Sequence, residues 1–317
     1  MKEHKEVAAA LRSAQSDYRC ASGTNDALRK AMRRRAAAGD LVSPYRNMYA
    51  ARDYWNALNN EQQSLHVIRG LAYRHPSWVF TGLSAACLYG VQHSRSLHDG
   101  KVYVASTGGI GGADESHLVR VYMNQIPQRM VQGIRLVSPA RMILDCAGYP
   151  FVHALAIIDS TLRMGLTSCE EIEALSLQSV CDERSVKRLV RYADAGSENG
   201  GESLFRGMLI ERNYAEPLLQ VEFGNPDNPA MPYRVDFCWK LADGRIIVAE
   251  YDGMAKYADA TNKNRASLQA KLDYERRREQ HLKAQKVTAI IHVFFEDLMS
   301  PRRFEEKMNE AGVPKIV

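Results

Sequence analysis

The 317-residue chain has little of what would assign it at sight. Its six cysteines (Cys20, Cys87, Cys146, Cys169, Cys181, Cys238) are scattered, with no C-x-x-C pair and no histidine at zinc-finger spacing. They read as reduced, mostly buried thiols, not as disulfides or zinc ligands. No apolar run is long enough to span a bilayer, and the longest, near Val287 to Phe295, has the length of a strand. The opening Met-Lys-Glu-His-Lys-Glu has no signal-peptide core, so a cytoplasmic location is expected. The glycine-rich run Gly108-Gly-Ile-Gly-Gly112 is followed by no Lys-Ser/Thr and does not fit G-x-G-x-x-G, which argues against a nucleotide cradle and for a flexible turn. Charge of one sign is not in large excess. A net charge of +5 permits nucleic-acid binding without arguing for it, so the local distribution of charge matters more.

What is present is ordinary globular composition, 45% hydrophobic and 25% charged, in a chain long enough for two or three domains. A helix over about Asp26 to Ala38 carries Arg29, Lys30, Arg33, Arg34 and Arg35 and stops at Gly39. Leu41-Val42 and Met48-Tyr49 then flank a hairpin turn at Asn47, a residue that tolerates positive φ. A basic helix followed by a compact ribbon fits a winged helix-turn-helix over residues 1–60, with Arg46 joining the DNA-binding set. The alternative is that the arginines form the solvated face of a helical hairpin. Residues 61–195 read as an α+β middle domain: an amphipathic segment at Leu65–Ala72, a small-residue helix at Thr81–Gly90, and strands at Lys101–Val104 and Leu118–Tyr122. A Ser138-capped helix and a helix from Phe151 to Met164 follow. Asp145, His153 and Asp159 read as packing or capping residues. Ala195 to Gly201 reads as a linker.

The remainder, 196–317, is organised around Arg234-Val-Asp-Phe-Cys-Trp239 and Arg245-Ile-Ile-Val-Ala-Glu-Tyr-Asp-Gly253, joined by a stretch whose Asp243-Gly244 signals a hairpin. The two-residue period of a strand puts Ile246, Val248, Glu250 and Asp252 on one face. Asp236 lies on the partner strand, and Glu202 opens a helix that Ser197 or Asn199 can cap. An unpaired buried carboxylate costs several kcal/mol, so these acids are expected to be paired, solvated or metal-bound. As a set of oxygen ligands they suit Mg²⁺ or Mn²⁺. The alternative is that they only solubilise strand ends. A basic helix from Lys263 to Lys286, a buried strand from Val287 and a closing helix from Pro301 complete an α/β sheet.

In that order, Arg234-Val-Asp236-Phe, Val248-Ala-Glu250-Tyr-Asp252-Gly253 and Arg276-Arg-Arg-Glu-Gln-His-Leu282 resemble the PD-(D/E)XK nuclease fold, in its very-short-patch-repair-like (Vsr-like) branch. The first half resembles the AbiEi-like antitoxin and regulator family on Gly39-Asp-Leu-Val42, Arg46-Asn-Met-Tyr49, Ser138-Pro-Ala-Arg141 and the Ala154-Leu155, Asp159 and Thr161-Leu-Arg163 set. The nuclease resemblance implies Asp236 and Glu250 as primary ligands of Mg²⁺ or Mn²⁺, helped by a backbone carbonyl near Tyr251. Glu202 would act through water, and Gln220 would orient phosphate or water. Asp252 stands where the wider fold has the lysine of Glu-x-Lys, and Lys256 is the residue expected to replace that lysine. The architecture expected is multi-domain α/β: a winged helix-turn-helix, an α+β middle domain, and a restriction-endonuclease-like mixed sheet flanked by helices. The function implied is a metal-dependent DNA endonuclease in phage defence or DNA processing. The alternative is a non-catalytic transcriptional regulator or antitoxin with a cognate toxin. In either case duplex DNA is the expected partner, and no membrane is.

Overall fold

The computed structural model describes residues 4–108, 117–252 and 265–316, with side chains from residue 273 onward in the last stretch. Lys256, Gly253 and the glycine-rich run beyond Gly108 lie outside the described residues. The chain is mixed α and β and divides into two units, Met1–Tyr149 with Met164–Arg191, and Pro150–Arg163 with Tyr192–Val317. Among the described residues no helix is long and apolar enough to cross a membrane.

The first unit begins with α1 (Lys5–Ser16) and α2 (Asp26–Ala37), then a two-stranded antiparallel ribbon of β1 (Leu41–Tyr45) and β2 (Met48–Ala51). Ala21 adds an isolated bridge to Tyr49 of the ribbon. The Asn25 side chain accepts from the Leu28 amide and so caps α2, and Asn47 takes φ 57° at the ribbon turn, the left-handed conformation its side chain tolerates. Leu28, Ala31 and Met32 bury one face of α2 with Val7, Leu41 and Tyr49, which leaves Lys30, Arg33 and Arg34 exposed.

Two helices, α3 (Arg52–Ala57) and α4 (Asn60–Arg74), follow, the second opened by a capping box between Asn59 and Gln62. Next come β3 (Val79–Phe80), α5 (Gly82–Tyr89), β4 (Val102–Ser106), β5 (Leu118–Tyr122), β6 (Gln128–Val131), β7 (Ile134–Val137) and α6 (Pro139–Cys146). The five strands form one mixed sheet in the order β5-β4-β3-β7-β6. The two expected strands are present as β4 and β5, and they pair in parallel, a pairing that a tight turn cannot connect. Phe80, Leu83, Val102, Val104 and Leu136 pack with Ile68 and Leu71 of α4 into this unit's main core.

Helix α7 (Phe151–Arg163) belongs to the second unit, while α8 (Cys169–Ser176) and nearly all of α9 (Glu183–Tyr192) belong to the first. In the second unit α10 (Gly200–Glu211) lies so close to α7 that a Cβ on Gly207 would stand 3.0 Å from the Val152 backbone. The buried Asp159–Arg206 pair, at 2.6 Å, fastens the two helices, and Asp159 also accepts from the Asp194 amide at 2.8 Å. A meander of β8 (Leu218–Phe223), β9 (Tyr233–Lys240) and β10 (Ile246–Asp252) follows. α11 (Arg265–Ala284) then leads to β11 (Val287–Phe294), parallel to β10, giving the sheet order β11-β10-β9-β8. The short α12 (Phe295–Leu298) and α13 (Pro301–Ala311) close the chain.

Each face of this sheet has its own core. Phe205 and Leu209 of α10 and Phe304 and Met308 of α13 pack on Phe237, Trp239, Ile247, Ala249, Ile291 and Val293. Leu282 of α11 packs on Cys238, Val248 and Val287. Fully burying a Phe or Leu side chain is worth roughly 1.5–3 kcal/mol, so Phe205, Phe237 and Phe304, in edge-to-face contact, firmly hold the helix that carries Glu202.

Candidate carboxylate centre at the end of the second sheet

The β9–β10 hairpin sets the geometry. Leu241 donates its amide to the Arg245 carbonyl, and Gly244 takes φ 85° between them, which fixes the register at Ile246 opposite Lys240 and Ala249 opposite Phe237. The ladder between the two strands stops at that last pair. There the strands part, and Asp236 Oδ2 accepts the Tyr251 amide at 2.9 Å, a backbone bond taken by a side chain.

Alternation then divides the neighbours of β10. Tyr251 shares the side of Ala249, and its ring is pressed against Gly201: a Cβ there would stand 2.1 Å from a ring carbon, so residue 201 has to be glycine. On this side is Glu202, in the first turn of α10, only 3% exposed. Its Oε2 accepts from the Glu198 amide at 2.6 Å and from Gln220 Nε2 at 3.2 Å, and its Oε1 accepts from Asn199 Nδ2 at 2.5 Å. Burial pushes Glu202 up to about 7, the Glu198 amide pulls it back, and the nearby Asp236 raises it further. Asn199, the N-cap, and not Ser197, supplies the cap of α10. Gln220 stands at φ 52° within β8, and its Oε1 is buried with no hydrogen-bond partner.

Glu250 and Asp252 share the side of Val248, facing α11. Arg278 donates to Glu250 Oε1 and, through the same nitrogen, to the Arg234 carbonyl at 2.9 Å. His292, from β11, meets Asp252 Oδ2 at 2.9 Å, and that bond raises the imidazole above its ordinary value. His292 escaped the sequence reading because its neighbourhood with Asp252 arises only from the parallel β10–β11 pairing, across 40 residues.

The acids thus gather at one end of the sheet, on both sides of β10, with Asp236 between. They do not form a three-ligand cage: among the described residues, the only Cys, His, Asp or Glu group whose ligand atoms all lie within 4.8 Å is Cys87, His93 and His98, in the first unit. The expectation of free, mostly buried thiols holds for Cys87. All six cysteines are free, but this one has two imidazoles on its sulfur.

The basic residues picked out near the N-terminus are placed as follows. Arg29 pairs with Asp26, and Arg35 Nη1 donates to the Ala31 carbonyl at 3.2 Å. Lys30, Arg33 and Arg34 project from α2, and Arg46 is exposed at the ribbon turn. No family model matches the chain, and no curated protein or solved structure does so either.

Proposed function

We propose that the second unit is a Mg²⁺- or Mn²⁺-dependent DNA phosphodiester hydrolase of the restriction-endonuclease-like kind, with Asp236 and Glu250 as its metal ligands. The observation that carries this reading is Asp236 Oδ2 on the Tyr251 amide, next along the chain from Glu250, at the parting end of the hairpin and near a buried Glu202. The helix, three-strand meander, helix and parallel strand supply the order that such a nuclease core needs. The residues suit Mg²⁺ better than a closed cage would, because Mg²⁺ keeps several waters and is usually held by one or two carboxylates. Gln220 Oε1, buried and unpartnered, is an acceptor suited to a metal-bound or attacking water. When bound, the metal would stabilise charge on the phosphate and lower the pKa of its water.

The chain's own residues prepare that chemistry. Asp236 is held by the Tyr251 amide, which fixes one of its carboxylate oxygens at the end of the hairpin. Arg278 steadies Glu250 and neutralises it until a cation competes. Glu202, raised to about 7, is divided between its two protonation states near neutrality, which suits a group that passes a proton to and from water. The winged-helix reading of residues 1–60 supplies delivery to duplex DNA through the exposed Lys30, Arg33, Arg34 and Arg46.

One observation favours the second reading, an AbiEi-like regulator or antitoxin whose acids are structural: Glu250 and Asp252 already have partners in Arg278 and His292. Supercoiled plasmid incubated with Mn²⁺ and wild type, Asp236→Ala or Glu250→Ala separates the two readings. The nuclease reading expects nicking by wild type alone, with DNA affinity retained in all three, since phosphate contacts come mainly from basic side chains. DNA binding without nicking under any divalent metal leaves the regulator.

A further inference from the structure

We propose that Cys87, His93, His98 and Glu61 in the first unit form a transition-metal site of the zinc type, separate from the carboxylate centre. Cys87 lies near the end of α5, His93 and His98 on the segment that leaves it, and Glu61 in the first turn of α4. Cys87 Sγ is 3.7 Å from His93 Nε2 and 3.8 Å from His98 Nε2, and the two Nε2 atoms are 2.8 Å apart. A tetrahedral Zn²⁺ with ordinary bond lengths separates S from N by about 3.6 Å and N from N by about 3.4 Å. The sulfur distances are therefore already those of a metal site, and the imidazoles need to part by only about half an ångström. Glu61 Oε1 is 4.0 Å from His93 Nε2 but outside the three-residue group, and its partly exposed side chain has to swing inward to supply the fourth ligand.

The protonation pattern agrees. His93 Nδ1 is 2.7 Å from the Val91 carbonyl, which can only accept, so Nδ1 carries the proton and Nε2 presents a lone pair towards Cys87 and His98. That bond also fixes the ring as backbone carbonyls do in known metal sites. The His93 side chain is fully buried and Cys87 is 7% exposed, so a metal would be screened from water. On binding, the Cys87 thiol proton is released to solvent, and the proton between the two Nε2 atoms, which belongs to His98, moves to Nδ1 of that ring, so one proton is released in all. Thiolate and carboxylate then balance the 2+ charge, leaving a neutral centre that costs little to bury. The four ligands tie the start of α4 to the end of α5 and the segment after it, which makes the site structural.

The test uses the full chain, first as purified and then stripped and titrated with Zn²⁺ or Co²⁺ alone. A single zinc ion per chain is expected by elemental analysis. With Co²⁺, a thiolate-to-metal charge-transfer band and strong visible bands of tetrahedral cobalt should appear. Cys87→Ser should abolish the charge-transfer band, and Glu61→Gln should weaken Zn²⁺ binding by at least about 10-fold. If Cys87→Ser fails to fold, His98→Gln, which changes a half-buried side chain outside the helices, gives the same reading through loss of zinc. Wild-type protein that shows no thiolate band at saturating Co²⁺, or a folded His98→Gln that retains zinc as tightly as wild type, would show the cluster to be a hydrogen-bonded knot and overturn the proposal.

Discussion

Two buried carboxylates meet α10 one helical turn apart, Glu202 on the helix itself and Asp159 reaching Arg206 from α7, and they have different partners. At Arg206 the helix meets Asp159, which receives a full guanidinium and a backbone amide and has no exposed surface. Four residues earlier, Glu202 receives only an amide N–H and two side-chain amides, next to the like charge of Asp236. The first arrangement closes an ion pair within the fold. The second leaves a carboxyl balanced between charged and neutral, with an unsatisfied acceptor on Gln220 beside it. A fold gains nothing in stability from that balance, and the difference separates an acid that fastens helices from one whose charge the fold leaves undecided.

Four changes sharpen or break the comparison. Arg206→Met leaves Asp159 buried without its cation and is expected to cost about 3–5 kcal/mol, read as a lower urea midpoint at unchanged slope. Glu202→Gln is expected to do the reverse in metal-free protein. The folded pKa of Glu202, about 7, lies above its ordinary 4.5, so the fold favours the protonated form. That contribution is complete below pH 4.5 and is lost as pH rises through 7. At pH 8 in chelator the Gln variant should therefore be the more stable, by about 3 kcal/mol at most, and near pH 4 the two should coincide. Thermal melts across that range check it; equal stability at pH 8 would put Glu202 in the same class as Asp159.

Arg278→Gln removes the cation that competes for Glu250, so the Mn²⁺ concentration at half-saturation should fall several-fold, measured by calorimetric titration. An unchanged or higher value would mean that Arg278 belongs to the centre as a positioning group. The smallest effect is expected far from these acids: Arg33→Ala should reduce the salt dependence of DNA binding by about one unit of slope while leaving the sequence preference alone. Fluorescence anisotropy at several salt concentrations reads it, and an unaltered slope would return α2 to the solvated-face reading.

What could be read in the sequence follows from what is local. Asp243-Gly244 sets the hairpin, the hairpin sets the register, and at its end Asp236 takes the Tyr251 amide next to Glu250. Asn47 at positive φ and the capped start of α10 are equally local. The partners that came from afar could not be read. Arg278 reaches Glu250 across 28 residues through the crossover helix, and His292 reaches Asp252 across 40 through a parallel pairing. The parallel pairing of β4 with β5 could not be read either, because strand pattern alone carries no direction. The Cys87, His93 and His98 cluster was missed because its spacing matches no metal motif, and Glu61 joins it from another helix.

The central claim is a divalent cation held between Asp236 and Glu250, and crystals soaked in Mn²⁺ test it most directly through the anomalous signal of the metal. The account predicts a peak at about 2.0–2.2 Å from one oxygen of each carboxylate, with water completing the shell and Arg278 turned away from Glu250. A map with no peak there at saturating Mn²⁺, and with Arg278 still bonded to Glu250, would contradict it.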